Sequence, residues 1–273
     1  MKAYQFKNWQ LKAVGYGGVE SCYIISNLKI AFDAGRCPFE LVEIPTIFLT
    51  HGHLDHAAGL PYYFSQRSLK NLPMGTVYTP SAVVEPLKNI LKNWQIIEDY
   101  EYPIQVNPLE IGQEIPITGG FKVKALQAFH RVPCQGYAIL RNSKKLKPEY
   151  LNYPGQEIKK LKEQGEDIFE VKDIPEFAFS GDSLVDFITH NKEASTAKTL
   201  LMECTYIDEK RSVSRAREWG HTHLDEIIEI LPELSCENLV LTHFSRRYRK
   251  SQIEETLQQK LSEEQLKKIT FIC

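Results

Sequence analysis

Three histidines and one aspartate fall within seven residues, Thr50-His51-Gly52-His53-Leu54-Asp55-His56, in a chain that holds only eight histidines. Neutral imidazole suits zinc, and in a sharp loop residues two apart can face one ion while the next Asp and His face a second. The apolar run 44–49 precedes the string and apolar residues at helical spacing follow it, which sets His51, His53, Asp55 and His56 in a strand-to-helix turn. A surface loop that happens to be rich in His is the competing reading. The crowding of the histidines into one turn argues for metal.

Other groups of the right type lie just past apolar runs elsewhere. His130 follows the run 121–129, where a lone His serves either as a packing residue or as a ligand. Asp182 closes Ser180-Gly181-Asp182 behind 177–179; Gly181 lets the backbone approach closely, and a carboxylate there can bridge two cations. His243 follows 238–242. Counting ligands then decides more than any one motif: His51, His53, His130 and Asp182 complete one site, and Asp55, His56, Asp182 and His243 complete a second. Two ions about 3.5–4 Å apart that share a carboxylate acidify a bridging water and clamp the oxygens of an in-line displacement. Such a site is hydrolytic by default.

The elements that must position these groups read as strands interleaved with helices. Residues 3–14 alternate loosely up to Gly17-Gly18, and 22–25 with 30–32 form a hairpin around Asn27-Leu28-Lys29. Asp33 ends that hairpin, either as a carboxylate that orients a ligand His or as an Asx turn before Gly35. A strand at 41–49 delivers the His cluster. Helical spacing marks 57–69, 81–94, 224–231 and 253–261, and further strands are expected at 77–79, 104–106, 115–117, 121–129, 135–141, 177–179, 199–202, 238–242 and 269–272. Segment 142–173 is the least globular, with Lys144, Lys145, Lys147, Lys159, Lys160 and Lys162 set among Tyr150 and Tyr153. A solvated lysine face is the ordinary meaning of such a run. A protruding arm that holds phosphate backbone by displacing counterions is the functional one.

Composition bounds the class. With 273 residues, 42% hydrophobic and 25% charged, the chain has the makeup of a globular protein with one large core or two modest ones. A net charge of −2 leaves nucleic-acid contact to local basic patches. The six cysteines, at 22, 37, 134, 204, 236 and 273, include no C-x-x-C pair, so buried reduced thiols are expected rather than a disulfide framework or a Cys-based zinc site. No signal stretch and no apolar run of about 18 residues occurs, from which a cytoplasmic setting and no membrane partner are expected.

Thr50-His51-Gly52-His53-Leu54-Asp55-His56, the isolated His130, Ser180-Gly181-Asp182 and the late His243 resemble the ordered motifs of the metallo-β-lactamase superfamily. Within it, His243-Phe244-Ser245-Arg246-Arg247-Tyr248 is similar to the His-Phe/Ile-Ser-x-Arg-Tyr string of ribonuclease Z, the endonuclease family that removes 3′ trailers from precursor tRNA. Glu203-Cys204-Thr205-Tyr206 resembles that family's Glu-Ala-Thr-Phe string, and His221-Thr222-His223 stands where it has His-Ser-Thr. Gly17-Gly18-Val19-Glu20-Ser21-Cys22, Phe32-Asp33-Ala34-Gly35-Arg36-Cys37-Pro38 and Tyr153-Pro154-Gly155-Gln156-Glu157-Ile158-Lys159-Lys160-Leu161-Lys162 look most like the short form known from plants and some bacteria.

The resemblance implies an α/β fold, the metallo-β-lactamase αββα four-layer sandwich, as one domain over 1–273 with a short Lys-rich insertion at about 142–173. It implies two zinc ions per subunit, or Mn2+ or another divalent ion in their place, on the ligands counted above. A hydroxide bridging them would hydrolyse one phosphodiester, leaving a 3′-hydroxyl on the tRNA and a 5′-phosphate on the trailer. Asp55 would be both a ligand and the acceptor of the water's proton, His221 would stabilise or protonate the departing 3′ oxygen, and Glu203 would orient His221. Arg247 would meet a phosphate with two bonds, and Lys159, Lys160 and Lys162 would contact the tRNA body. A homodimer in which one subunit's arm serves the other's site is implied too. His223 stays open between a site role and a structural hydrogen bond, the latter preferred. Two other readings remain: a hydrolase of the same fold acting on small phosphodiesters or thioesters, and a non-catalytic RNA-binding relative.

The chain departs from the family in three places. The Pro-x-Lys-x-Arg-Asn loop with which the bacterial long-arm form senses a mature CCA end reads Tyr16-Gly17-Gly18-Val19-Glu20-Ser21 here. Met202 replaces the usual His before the Glu motif, removing a partner of Glu203. The arm is compact and has no Gly-Pro pair.

Overall fold

The computed structural model describes residues 1–6 and 8–273. Two sheets stack face to face. The first consists, in spatial order, of β1 (Lys2–Phe6), β2 (Trp9–Gly17), β3 (Glu20–Ile25), β4 (Ile30–Phe32), β5 (Thr46–Phe48), β6 (Thr76–Thr79) and β7 (Gln105–Pro108). The second is built from β8 (Glu114–Pro116), β9 (Phe121–Gln127), β10 (Gln135–Leu146), β11 (Phe169–Phe179), β12 (Thr199–Glu203) and β13 (Asn238–Thr242). After β13 the chain crosses over, and the short β14 (Phe244–Ser245) pairs with β2 of the first sheet. It then returns, and β15 (Ile269–Phe271) pairs with β13.

Period-two alternation distributes the strand side chains over three apolar layers. In β12, Leu200 and Met202 join the layer under the helices while Leu201 joins the layer between the sheets; in β13, Leu239 and Leu241 oppose Val240 in the same way. In β3, Cys22 and Ile24 face outward while Tyr23 and Ile25 face the other sheet. Both faces of these strands are therefore buried, which is why they read as unbroken apolar runs. Among the helices, α1 (Leu54–Ala57) stands at the carboxyl end of β5, and α2 (Leu60–Leu69) and α3 (Ser81–Glu98) cover the first sheet. On the arm lies α4 (Gly155–Glu163). The second sheet is covered by α5 (Asp186–His190), α6 (Lys192–Thr196), α8 (Leu224–Ile230) and α9 (Lys250–Lys260), with α7 (Val213–Glu218) and α10 (Glu263–Lys268) beside them. This is the expected αββα sandwich. At its centre Phe32 meets Phe179 at 5.2 Å, Tyr137 at 5.6 Å and Phe177 at 6.0 Å between ring centroids.

Several expectations need correction. Residues 41–49 are not one strand: Phe39–Glu43 form a 3-10 turn and only Thr46–Phe48 pair. Pro45 removes a ladder donor and restricts Ile44, while Leu41 and Val42 are buried in the outer layer, so the apolar run was core without being strand. Residues 3–14 divide into β1 and β2, which pair with each other from Lys2↔Ala13 to Phe6↔Trp9. The helix expected at 57–69 breaks between α1 and α2 at Gly59, where a Cβ would lie only 2.2 Å from the Cys37 nitrogen. Four cysteines are buried as expected, but Cys134 and Cys273 are half-exposed; all six are free.

The segment read as least globular is ordered. β9 stops pairing with β10 at Phe121↔Arg141, and β12 begins pairing with β11 only at Thr199↔Phe177. Beyond those points 142–146 and 169–173 pair only with each other, so a two-stranded ribbon leaves the sheet and carries α4 on its connection.

Phe32→Ala removes a ring that ties both sheets together and should cost about 3–5 kcal/mol. Urea unfolding measures it; a loss below about 1 kcal/mol would show that the inner layer is not the main core.

Candidate metal centre

The polar groups singled out in the sequence gather at the carboxyl ends of parallel strands. Asp33 follows β4, His51 follows β5, Asp182 follows β11, Glu203 ends β12 and His243 follows β13. Strand ends of this kind open a crevice between sheets. His51, His53, His130 and Asp182 offer ligand atoms within 4.8 Å of one another, and so do Asp55, His56 and His243. Asp182 joins the two sets. Its Oδ1 lies 3.3 Å from His56 Nε2 and 3.2 Å from His243 Nε2, and its Oδ2 lies 3.8 Å from His51 Nε2. Asp55 Oδ2 stands 3.5 Å from both His56 Nε2 and His243 Nε2.

Hydrogen bonding on the far side of each ring fixes its tautomer. His56 Nδ1 donates to Asp33 Oδ2 at 2.7 Å, and His130 Nδ1 donates to the Gly220 carbonyl at 2.8 Å. Thr50 Oγ1 donates its one proton to Asp33, so at 2.9 Å it accepts from His51 Nδ1. Thr205 Oγ1 donates to Glu203 Oε2 at 2.7 Å, so at 3.0 Å it accepts from His243 Nδ1. Four imidazoles thus carry their protons on Nδ1 and turn a lone pair inward at Nε2. Nε2 of His51, His56 and His243 and Oδ1 of Asp182 are buried without hydrogen-bond partners, their mutual contacts being close but badly angled. Polar atoms are not left bare in a protein interior without compensation. A nitrogen and oxygen donor set of this kind fits divalent cations of the zinc class.

Charge follows the same geometry. Burial drives His51, His53 and His130 below the ordinary imidazole range. Burial opposes ionisation of Asp182, yet His243, His56 and His51 hold its carboxyl well below the usual range. Asp55 is likewise depressed by His243 and His56 against the effect of burial. Asp182 and Asp33 push His56 up against its desolvation, so its Nε2 lone pair becomes available where a cation takes the place of a proton.

Beside this cluster stands a hydrogen-bonded acid pair. His221 Nδ1 meets Glu203 Oε1 at 2.9 Å, and Glu203 raises that imidazole to about 9 against the opposing effect of burial. Glu203 also accepts from the Ser183 and Thr205 backbone N–H groups at 3.1 and 3.0 Å. Met202 therefore leaves no unmet partner; its side chain sits in the outer core. His223 caps α8, accepting from the Asp225 N–H at 3.1 Å, which is the structural role preferred for it.

Of the residues marked in the sequence, the structure brings together the seven candidate ligands with Glu203 and His221. Arg247 lies in the exposed turn after β14, and Lys159, Lys160 and Lys162 are exposed on α4, away from the cluster. Sequence reading left Asp33 open, and the structure puts it on His56. It missed Thr50, Thr205, the Gly220 carbonyl and the Gly18 N–H, which donates to Asp55 Oδ2 at 2.9 Å. Two left-handed residues shape the rim, Asp33 at φ 57° and His243 at φ 60°. An apolar cleft of about 450 Å³, lined by Leu54, Val83, Pro86, Trp94 and Pro133, opens beside His53.

Residues 32–147 match the family model described as a beta-lactamase superfamily domain. The protein tRNase Z TRZ1 of Arabidopsis thaliana is 36% identical over 258 residues, spanning 94% of this chain and 92% of its own length. A ribonuclease Z of Staphylococcus carnosus is 28% identical, over 84% of this chain and 82% of its own. Among solved structures, the human short-form tRNase Z aligns with a TM-score of 0.60 at 20% identity, over 87% of this chain and 93% of that one. YhfI of Bacillus subtilis, a metallo-β-lactamase-fold protein, aligns at 0.66 and 17% identity, over 96% and 95%. Both alignments show a shared fold.

Asp33→Asn keeps the size of the side chain and removes the charge that holds His56. Affinity for a divalent cation should fall about 10- to 100-fold, read by competition against a chelator. An unchanged affinity would mean that Asp33 only shapes its turn.

Proposed function

This chain belongs to the tRNase Z family, and on that premise we propose that it is the endoribonuclease that removes the 3′ trailer from precursor tRNA. The observation that carries the reading is the buried Asp182 carboxylate shared between two histidine sets, with the Glu203–His221 pair alongside. His51, His53, His130 and Asp182 would hold one zinc ion, and Asp55, His56, Asp182 and His243 a second. Ions bound there supply an acidified water and positive charge against the phosphate.

The chain's own residues would do the rest. Asp55, kept ionised by His243 and His56 and oriented by the Gly18 N–H, accepts the proton of the attacking water. His221 is an imidazolium at neutral pH and hands its proton to the departing 3′ oxygen. Glu203 holds His221 Nδ1 and so leaves Nε2 as the donor. Products are a 3′-hydroxyl on the tRNA and a 5′-phosphate on the trailer. Arg247, without an ion-pair partner among the described residues, offers its planar guanidinium to a phosphate.

Residues 1–273 act as one domain with the ribbon as a tRNA-binding arm, working in the cytoplasm as a homodimer. The ribbon leaves β11 at the end opposite Asp182. About six residues at 3.3 Å each put its base roughly 20 Å, and all eleven put its outer end at Phe169 roughly 36 Å, along the strand from the end that delivers Asp182. Lys159, Lys160 and Lys162 therefore grip RNA at a distance from their own site, which supports an arm that serves the partner's substrate.

Mapping the cut made in a precursor tRNA by purified protein tests the reading. Cleavage after the discriminator nucleotide is expected. Hydrolysis of small diesters alone would point to a small-molecule hydrolase, and binding without cutting would remove the enzyme. His221→Ala should retain metal and lose about 10²- to 10⁴-fold in kcat, whereas Asp182→Ala should lose metal. Equal depletion by elemental analysis would overturn that division. Exchanging Lys159, Lys160 and Lys162 together for Ala should weaken tRNA binding and flatten its salt dependence; an unchanged slope would count against the arm.

A further inference from the structure

Two loops touch at the rim of the cluster. His130 donates to the Gly220 carbonyl, and a Cβ on Gly220 would lie 2.7 Å from His130 Nδ1, 3.1 Å from the Arg131 nitrogen and 3.3 Å from Arg131 Cγ. Gly220, at φ 73°, thus admits the backbone of 130–131 directly against the turn that carries His221. The flanking side chains meet as well: the Arg131 guanidinium lies 4.7 Å from the Trp219 ring centroid. Arg131 is exposed, and Trp219 is 43% exposed.

Of the nine arginines other than the buried Arg67, four are engaged by carboxylates. Arg36, Arg141, Arg215 and Arg217 each face a carboxylate. Arg215 shares the Trp219 ring at 5.2 Å, but Glu218 occupies its charge. Arg131 has no ion-pair partner among the described residues. An exposed cation of this kind usually wanders; stacking on an indole holds the guanidinium plane and leaves its N–H edge to meet an anion.

We propose that Arg131, braced by Trp219, binds a backbone phosphate of the RNA on the tRNA side of the cut. The inference rests on the reading of this chain as a precursor-tRNA endonuclease. Its side of the cut follows from His221. That residue faces the departing 3′ oxygen, which belongs to the tRNA, and Trp219 and Arg131 flank it one loop away, with the His130 and His221 rings 5.1 Å apart. The contact is sequence-independent, as phosphate contacts are, and fixes the register of the strand rather than reading its bases.

The test uses the metal-loaded enzyme and a tRNA that ends at its discriminator nucleotide, which can bind without being cut. Dissociation constants are measured over a series of KCl concentrations, with metal content checked for every variant. Arg131→Gln should weaken binding about tenfold and lower the slope of log Kd against log salt by about one. Arg131→Lys should keep the slope while regaining part of the affinity. Trp219→Ala, which frees the guanidinium but keeps its charge, should weaken binding at an unchanged slope.

Wild-type affinity and slope in Arg131→Gln, from a protein that still cuts precursor tRNA, would overturn the contact alone. Loss of metal in Arg131→Gln with full binding by Arg131→Lys at a reduced slope would also overturn it, making Arg131 a support for His130. A wild-type protein that neither binds this tRNA nor cuts a precursor would take the parent reading down with it.

Discussion

A carboxylate sunk in the interior is among the costliest groups a fold can carry, and Asp182, 3% exposed, sits where both sheets end. What makes it tolerable is the ring of imidazoles around it. Those imidazoles are not free to turn, because Thr50, Thr205, Asp33 and the Gly220 carbonyl hold their outer nitrogens. The consequence is an accumulation of negative charge. Asp33, Asp55, Asp182 and Glu203 bring four carboxylates to one cluster whose ligand histidines are fixed in a tautomer suited to neutrality. Divalent cations bound there would supply positive charge against the three aspartates, Glu203 being already paired with His221, and in that way the proposed metal site and the hydrogen-bond pattern support each other.

The sandwich makes that crowding possible because each sheet contributes half of it. Thr50 and the His51–His56 string belong to the first sheet; Asp182, Glu203 and His243 belong to the second. The halves meet at Gly181, whose φ is 59° and where a Cβ would fall 2.7 Å from Thr50 Cγ2. His243 stands at the crossing from β13 to β14, in a left-handed conformation that a non-glycine residue rarely adopts. The aromatic layer between the sheets, centred on Phe32, holds both strand sets in register and so over-determines these strained turns.

Legibility in the sequence tracked how local each determinant was. His51, His53, Asp55 and His56 could be read because four metal-ligating side chains crowded into one turn rarely serve any purpose but coordination. His130, Asp182 and His243 carried weight only as residues just past apolar runs, which the strand ends justify. Asp33 stayed ambiguous because both of its readings fit the same Asp-x-Gly turn, and only the tertiary approach of His56 separates them. Thr50 and Thr205 were invisible, since a threonine beside a ligand has many ordinary roles. The apolar residues at 41–49 were read as one strand, whereas Leu41 and Val42 serve the core from a 3-10 turn; Pro45 was the available signal. The arm misled in the opposite direction. Strands of an isolated ribbon are largely exposed, so 142–146 lacks the alternation that marks a half-buried strand, and the short alternation Phe169-Glu170-Val171-Lys172 is masked by the lysines of the segment.

One strand, β11, then explains why chemistry and grip are separable. Its carboxyl end delivers Asp182 into a buried cluster, and its amino end runs out into a ribbon whose charges are exposed. Attraction between exposed lysines and phosphates is screened within about 8–10 Å at ordinary ionic strength, whereas buried charges feel salt far less. On the proposed arm, ionic strength would therefore act on how RNA is held and hardly on what happens at Asp182. Arg131 falls between these regimes: it is exposed like the lysines, yet tied through His130 and Gly220 to the buried cluster, so the proposed contact would transmit the position of a held strand to the bond to be cut.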